Sequence, residues 1–295
     1  MSLVHERDYE VRYDTTVTGE FLAGTGIEIV REPAARGQYQ HALFDFDGTL
    51  SLIREGWPEI MAPMMVEALM NTPNHEAQSE IEWFVRDLII RTTGKQTIYQ
   101  MITLAEEVMK RGGKPREPIE YKQHYMDLLM ERIAHRREAL RDGSADPEAM
   151  LVPGTTSLLR GLLNRGVSIY LASGTDECFV REEAELLKLT DYFGAQHIYG
   201  AIDDFKKFSK ALVIDRILRE NSVDGKHLLG FGDGYVEIDN TKCVGGTGIG
   251  VATEETEKNG KANAFKRERL LGVGADIIIP DFRDSSTLLK YLFAE

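Results

Sequence analysis

The hydrophobic pattern of the chain changes period twice. Residues 41–44, His-Ala-Leu-Phe, form a short apolar run of the kind expected for a buried strand. From about 55 to 141 the apolar positions recur every three or four residues instead. Ile60, Met61, Met64, Met65, Ala68 and Leu69 make one stripe. Ile81, Phe84, Val85, Leu88 and Ile89 make a second, and Ile98, Met101, Ile102, Ala105 and Val108 a third. Tyr125, Leu128, Leu129, Arg132 and Ile133 give a fourth, more mixed face. This spacing predicts four amphipathic helices that can pack as a small bundle. The methionines Met61, Met64, Met65 and Met70 read as core filler, or else as an adaptable binding surface.

A polar stretch with Gly and Pro, Arg141 to Pro147, closes this region. Beyond it, helical and strand-like segments alternate. Helices are expected over 155–165, 177–189, 211–220 and 286–293. Strands are expected over 167–172, 197–199, 227–231, 249–252 and 276–279. Alternation of this kind predicts an α/β fold: a Rossmann-like, mainly parallel sheet with helices on both faces, interrupted by an all-helical insertion. The expected division is a core of 1–54 and 149–295 and an insertion of 55–148. Residues 1–40 stand apart. Their stretch from Glu20 to Val30 has strand-like ends around Gly-Thr-Gly, which suits a hairpin on the flank of the sheet or a dimer contact.

Charge and cysteine content narrow the function classes. A net charge of −13 and a pI near 5.1 argue against non-specific nucleic-acid binding. Cys178 and Cys243 form no CxxC pair, so neither a disulfide framework nor structural zinc is expected. The first ten residues are too charged for a signal peptide, and no apolar run is long enough to span a membrane. A cytoplasmic protein with no membrane partner is the expectation.

The first strand supplies the candidate chemistry. It ends in Asp45-Phe46-Asp47-Gly48-Thr49, two acids spaced so that both lie on one face of a strand. At the carboxyl end of a parallel strand such acids face the crevice where open α/β sheets bind ligands. Paired carboxylates repel unless a cation lies between them, and oxygen ligands suit Mg²⁺.

This segment resembles the first motif of the haloacid dehalogenase superfamily, in its phosphatase and phosphomutase branch. The resemblance implies that Asp45 attacks phosphorus and that Asp47 is the general acid and base. Leu171-Ala172-Ser173-Gly174-Thr175 resembles the second motif, in which the Ser173 hydroxyl and a following backbone N–H hold phosphoryl oxygens. Thr49 and Gly174 join this phosphate-binding set. The third motif is a lysine at a helix start, and Lys210 is preferred over Lys206 and Lys207. The segment from Leu229 through Gly232-Asp233 to Glu237 resembles the fourth motif, with Glu where Asp is common. The implied cofactor is Mg²⁺, held by Asp45, Asp47 through its main-chain carbonyl, Asp233, and Glu237 directly or through water. The insertion becomes a helical cap of the type placed between the first and second motifs. Arg54, beside Trp57, and Arg91 and Lys95, which flank a Thr-Thr-Gly turn, are its candidate substrate-binding residues.

The late glycine run 245–250 lacks the order and the following helix of a dinucleotide site and reads as the lead into a buried strand. The expected function is a Mg²⁺-dependent phosphatase acting on a small phosphorylated metabolite through an aspartyl-phosphate. A sugar phosphomutase resembling β-phosphoglucomutase and a non-catalytic phosphate-binding regulator are the alternatives.

Overall fold

The computed structural model describes residues 8–202 and 204–295. The part of the N-terminal extension at 1–7, to which the signal-peptide reading mostly applies, lies outside them. The described chain opens with a small hairpin, β1 (Glu20–Phe21) and β2 (Glu28–Ile29), and then the central strand β3 (His41–Phe44). Four helices follow: α1 (Pro58–Met70), α2 (Gln78–Thr92), α3 (Thr97–Lys110) and α4 (Pro118–Arg141). The chain then runs through α5 (Thr155–Leu163), β4 (Ser168–Asp176), α6 (Glu177–Leu186), α7 (Thr190–Phe193) and β5 (Ile198–Ala201). The last third holds α8 (Lys210–Asn221), β6 (Leu228–Gly232), α9 (Tyr235–Cys243), β7 (Thr247–Val251), α10 (Ala264–Gly272), β8 (Ile277–Ile279) and α11 (Ser285–Phe293).

The strands form one sheet in the order β1-β2-β8-β7-β6-β3-β4-β5. Pairing is parallel from β8 to β5, while the hairpin joins the β8 edge antiparallel. This answers the open reading of residues 20–30: they extend the sheet at its flank. Glu28 anchors the hairpin, almost fully buried and bonded twice at 2.7 Å by Arg267. His41 starts β3 at the end away from the paired acids, near the Tyr170 hydroxyl.

The strand order makes a crevice of the kind that holds ligands in open α/β sheets. From β3 the chain goes to β4 and β5 on one side and returns to β6 on the other. A crevice opens at the carboxyl ends where the order reverses. The chain leaves for its helical insertion and comes back through paired segments. Leu52 N–H donates to Met150 C=O, and Val152 N–H donates to Leu50 C=O, both at 2.9 Å.

Two expected features differ. The helix expected over 177–189 ends early, at Leu186, before Lys188 takes a positive φ of 57°, and a further short helix, α7, starts at Thr190 beyond the expected end. Helices α9 and α10 were not anticipated. α9 is buried nearly all round and carries no apolar stripe to read, and in α10 four charged residues separate the apolar ends.

Phe44 fills the middle of the core, fully buried and stacked on Phe231 with ring centroids 4.5 Å apart. Phe44→Ala should cost about 3–5 kcal/mol of stability. Chemical denaturation checks this; a loss under about 1 kcal/mol would mean that the central strand is not packed as described.

Candidate active site

Three parallel strands bring their ends to one level. Phe44 pairs with Leu171 on one side and Phe231 on the other. Asp45 thus leaves β3 beside Ala172 and Gly232, and Ser173 and Asp233 follow one residue later. Asp45 N–H donates to Phe231 C=O at 2.9 Å, which fixes the strand end. Gly48 then turns the chain with φ of 76°, and a Cβ there would lie 2.4 Å from Asp233 Oδ2. Only glycine combines that dihedral with so close an approach.

Lys210 is the first residue of α8, behind Ser209, whose hydroxyl accepts from Leu212 N–H at 3.2 Å. It is 1% exposed, and its Nζ donates to Asp45 Oδ1 at 2.8 Å. The same ammonium pairs with Glu237 of α9, which is wholly buried. Burial pushes the Asp45 pKa up to about 6; Lys210 pulls it down, and the charges of Asp233 and Asp47 push it up again. Asp47 is pushed up by burial as well, against the pull of Arg54. Its Oδ2 accepts from the Thr175 hydroxyl at 2.8 Å and from Ser173 at 3.4 Å. Asp233 Oδ2 lies 2.8 Å from Lys266 Nζ, which also bonds Glu255 at 2.6 Å.

Of these groups Asp45, Asp47, Arg54, Ser173, Thr175, Lys210 and Asp233 line a cavity of about 80 Å³, room for a few waters or a small group. The helical insertion roofs it. Trp57, Met61, Gln100 and Tyr125 face it, as does the turn between α2 and α3, Thr93-Gly94-Lys95. A Cβ on Gly174 would lie 2.6 Å from the carbonyl oxygen of Lys95. The roof therefore touches the loop of Ser173 and Gly174 directly, in a closed arrangement.

The sequence-predicted residues divide in two. Asp45, Asp47, Ser173, Gly174, Lys210, Asp233, Arg54 and Lys95 all line this cavity. Lys206 and Lys207 sit in a short 3-10 turn before α8, with Lys207 paired to Asp204 on the surface. Four of the expected residues are engaged by partners within the chain. Thr49 is buried and engages Asp233, accepting its N–H at 2.9 Å, and so braces that acid instead of facing a substrate. Glu237 pairs with the Lys210 ammonium. Arg91 lies outside the cavity, held by Asp87 at 2.7 Å and Asp8 at 3.5 Å. Arg54 lines the cavity but is gripped by Glu183 through bonds of 3.0 and 2.8 Å. The Lys95 ammonium is paired with Asp8 of the N-terminal extension.

Sequence reasoning left Thr175, Glu183, Tyr125, Lys266 and Glu255 unassigned. Only Thr175 had a local signal, as the next same-face position after Ser173 on a strand. The others reach the site from distant segments.

The donor set fits a hard divalent cation. Asp45, Asp47 and Asp233 bring three carboxylates to one cavity, and its bases Lys210, Arg54 and Lys95 are each already paired with an acid. Among the described residues no three acidic, histidine or cysteine side chains are placed to hold a metal by themselves. Mg²⁺ keeps several waters and takes few carboxylates, so Asp45, Asp233 and the Asp47 carbonyl fit it.

A doubly wound core with paired acids on its central strand and a helical roof places the protein among capped α/β hydrolases. The chain belongs to the haloacid dehalogenase-like hydrolases, whose family model matches residues 39–245. Solved structures share the fold. β-Phosphoglucomutase from Clostridium difficile superposes with a TM-score of 0.55 at 13% identity, covering 86% of this chain and 97% of that one. A HAD hydrolase from Entamoeba histolytica gives 0.55 at 20% identity, covering 85% and 99%. A predicted phosphoglycolate phosphatase from Haemophilus somnus gives 0.55 at 16%, covering 85% and 98%. No curated protein sequence matches the chain.

The raised Asp45 pKa sets a pH test. A carboxyl at about 6 when folded and 3.8 when unfolded adds stability below pH 3.8 that is lost as pH rises through 6. The metal-free protein should then lose up to about 3 kcal/mol by neutral pH. A cation bound by the ionised acid offsets that loss only above about pH 6. Mg²⁺ should therefore raise Tm clearly near pH 7.5 and far less near pH 5. Equal shifts at both values in a thermal melt would contradict this site.

Proposed function

We propose that the protein is a Mg²⁺-dependent phosphatase that hydrolyses a small phosphorylated metabolite through an aspartyl-phosphate on Asp45. One observation carries the reading: the Asp45 carboxylate is buried on the cavity floor, held by Lys210 at 2.8 Å, with Asp47 beside the same space. A fixed, desolvated carboxylate is poised as a nucleophile, and a second acid held nearby is poised to move a proton.

In this account Asp45 attacks phosphorus in line with the leaving oxygen. The P–O bond to that oxygen breaks as Asp47 gives it a proton, and the alcohol departs. A water then attacks the phosphorus, passes a proton to Asp47, and the bond to Asp45 breaks to release phosphate. Lys210 and the Ser173 hydroxyl face the charge that spreads over the phosphoryl oxygens. Bound Mg²⁺, held by Asp45, Asp233 and the Asp47 carbonyl, would supply charge neutralisation between nucleophile and phosphoryl group. The helical roof excludes bulk water and meets the leaving group through Trp57, Met61, Gln100 and Tyr125.

The test is phosphate release from a panel of phosphorylated sugars, glycolate, nucleotides and amino acids, with Mg²⁺ and with chelator. The expected result is chelator-sensitive release from one compound class. Asp45→Asn should reduce it to background. Lys210→Ala should lower it by on the order of 10²- to 10³-fold, whereas Lys206→Ala and Lys207→Ala should change little. Isomerisation of a sugar phosphate without release would replace the phosphatase with a mutase, and no turnover at all would leave a phosphate-binding protein.

A further inference from the structure

The Arg54–Glu183 pair has no place in the steps above. Glu183 lies on α6 with no exposed surface, and Arg54 is 5% exposed just beyond the first motif. Two charges this deep are costly to desolvate, and the geometry that offsets the cost is good. Arg54 Nε donates to Glu183 Oε2 at 3.0 Å and Nη2 to Oε1 at 2.8 Å, a fork on a fork. The Phe179 ring lies 5.6 Å from the guanidinium carbon, and Arg137 of α4 comes within 4.0 Å of Glu183. The guanidinium is thus fixed from several sides.

What it is fixed against is Asp47. Arg54 Nε stands 3.7 Å from Asp47 Oδ1, close enough for attraction and too far for a hydrogen bond. Among the described residues Asp47 Oδ1 has no hydrogen-bond partner, although it is buried. The other oxygen, Oδ2, is held by Thr175. The carboxyl is therefore held at Oδ2 by Thr175 and flanked at its buried Oδ1 by the guanidinium, with no hydrogen bond between them.

We infer that Arg54 and Glu183 form a positioning pair that keeps the Asp47 carboxyl turned toward the leaving-group oxygen. Glu183 takes the donors that would otherwise close onto Asp47. Without it, Arg54 moves the short distance to Asp47 and ties up the carboxyl that delivers the proton. In the step concerned, the Asp47 O–H bond breaks, the proton goes to the leaving oxygen, the P–O bond to that oxygen breaks, and the Asp45–phosphorus bond forms. This inference rests on the phosphatase reading and concerns one part of it, the transfer of that proton.

The experiment compares wild type with Glu183→Gln on an alkyl phosphate from the panel and on p-nitrophenyl phosphate. The nitrophenolate departs without needing a proton, whereas the alkoxide does not. Because kcat/KM covers only the steps up to departure of the leaving group, it isolates the first proton transfer. Glu183→Gln should lower kcat/KM for the alkyl ester roughly 10- to 100-fold, part of what general acid catalysis contributes, and for the aryl ester no more than about threefold. A merely structural pair predicts equal losses, and equal losses or none would overturn the inference while leaving the phosphatase intact. Failure of the wild type to release phosphate from either ester would overturn both. If Glu183→Gln does not fold by thermal melt, the double variant Arg54→Met/Glu183→Met removes both charges at similar volume. It is expected to show the same selective loss, and equal losses on both esters, or none, would overturn the inference.

Discussion

The structure turns on a buried lysine. Lys210 lies between Asp45 and Glu237, three charges at the carboxyl end of a parallel sheet with almost no solvent. Removing one member of such a group leaves a buried charge unpaired, which costs far more than the net worth of the group. The sheet order makes the meeting possible. Strands far apart in sequence, β3, β4 and β6, lie side by side, and the helix that carries Lys210 precedes β6. The fold thus gathers Asp45, Asp47 and Asp233 in one crevice beside Lys210, carboxylates that suit a divalent cation and an ammonium that suits an anion.

The helical insertion completes the site from above. It touches the core at three places that bear on the cavity. Lys95 C=O presses on Gly174, Gly94 packs on Val236 and Gly234, and Gln96 Nε2 donates to the carbonyls of Phe205 and Phe208 at 3.1 and 2.8 Å. The N-terminal extension adds a strap across the same boundary. Tyr9 N–H donates to Arg91 C=O at 3.1 Å on the insertion, while its ring meets Tyr235 edge-on at 5.6 Å on the core. A segment that looks like an unrelated appendage in sequence therefore helps to hold the roof against the catalytic face.

Much of this was legible beforehand because it is local. An apolar run ending in Asp-x-Asp-Gly, a strand closing on Ser-Gly and a lysine at a helix start each carry their signal within a few residues. The helical stripes of α1 to α4 and the strands of the core did so as well, the strand ends shifted by one or two positions except in β4, which runs four residues past its expected end. What was not legible depends on contacts across the chain. Thr49 and Arg54 follow the first motif and look available for a phosphate, yet Asp233 and Glu183, far along the sequence, engage them. Lys266 reaches Asp233 from α10, a helix whose short apolar segments gave no periodic signal. Arg91 sits by a turn that does face the crevice, but its own position on α2 points it toward Asp87 and Asp8.

The central claim is that Asp45 carries the phosphoryl group during turnover. The most direct measurement is acid quench of the Mg²⁺-loaded enzyme during turnover of its best substrate, followed by intact mass and peptide mapping. The account predicts one added phosphoryl group on the peptide containing Asp45, labile to hydroxylamine and absent from Asp45→Asn. Steady turnover with no labelled enzyme, or a label on any other residue, would contradict it.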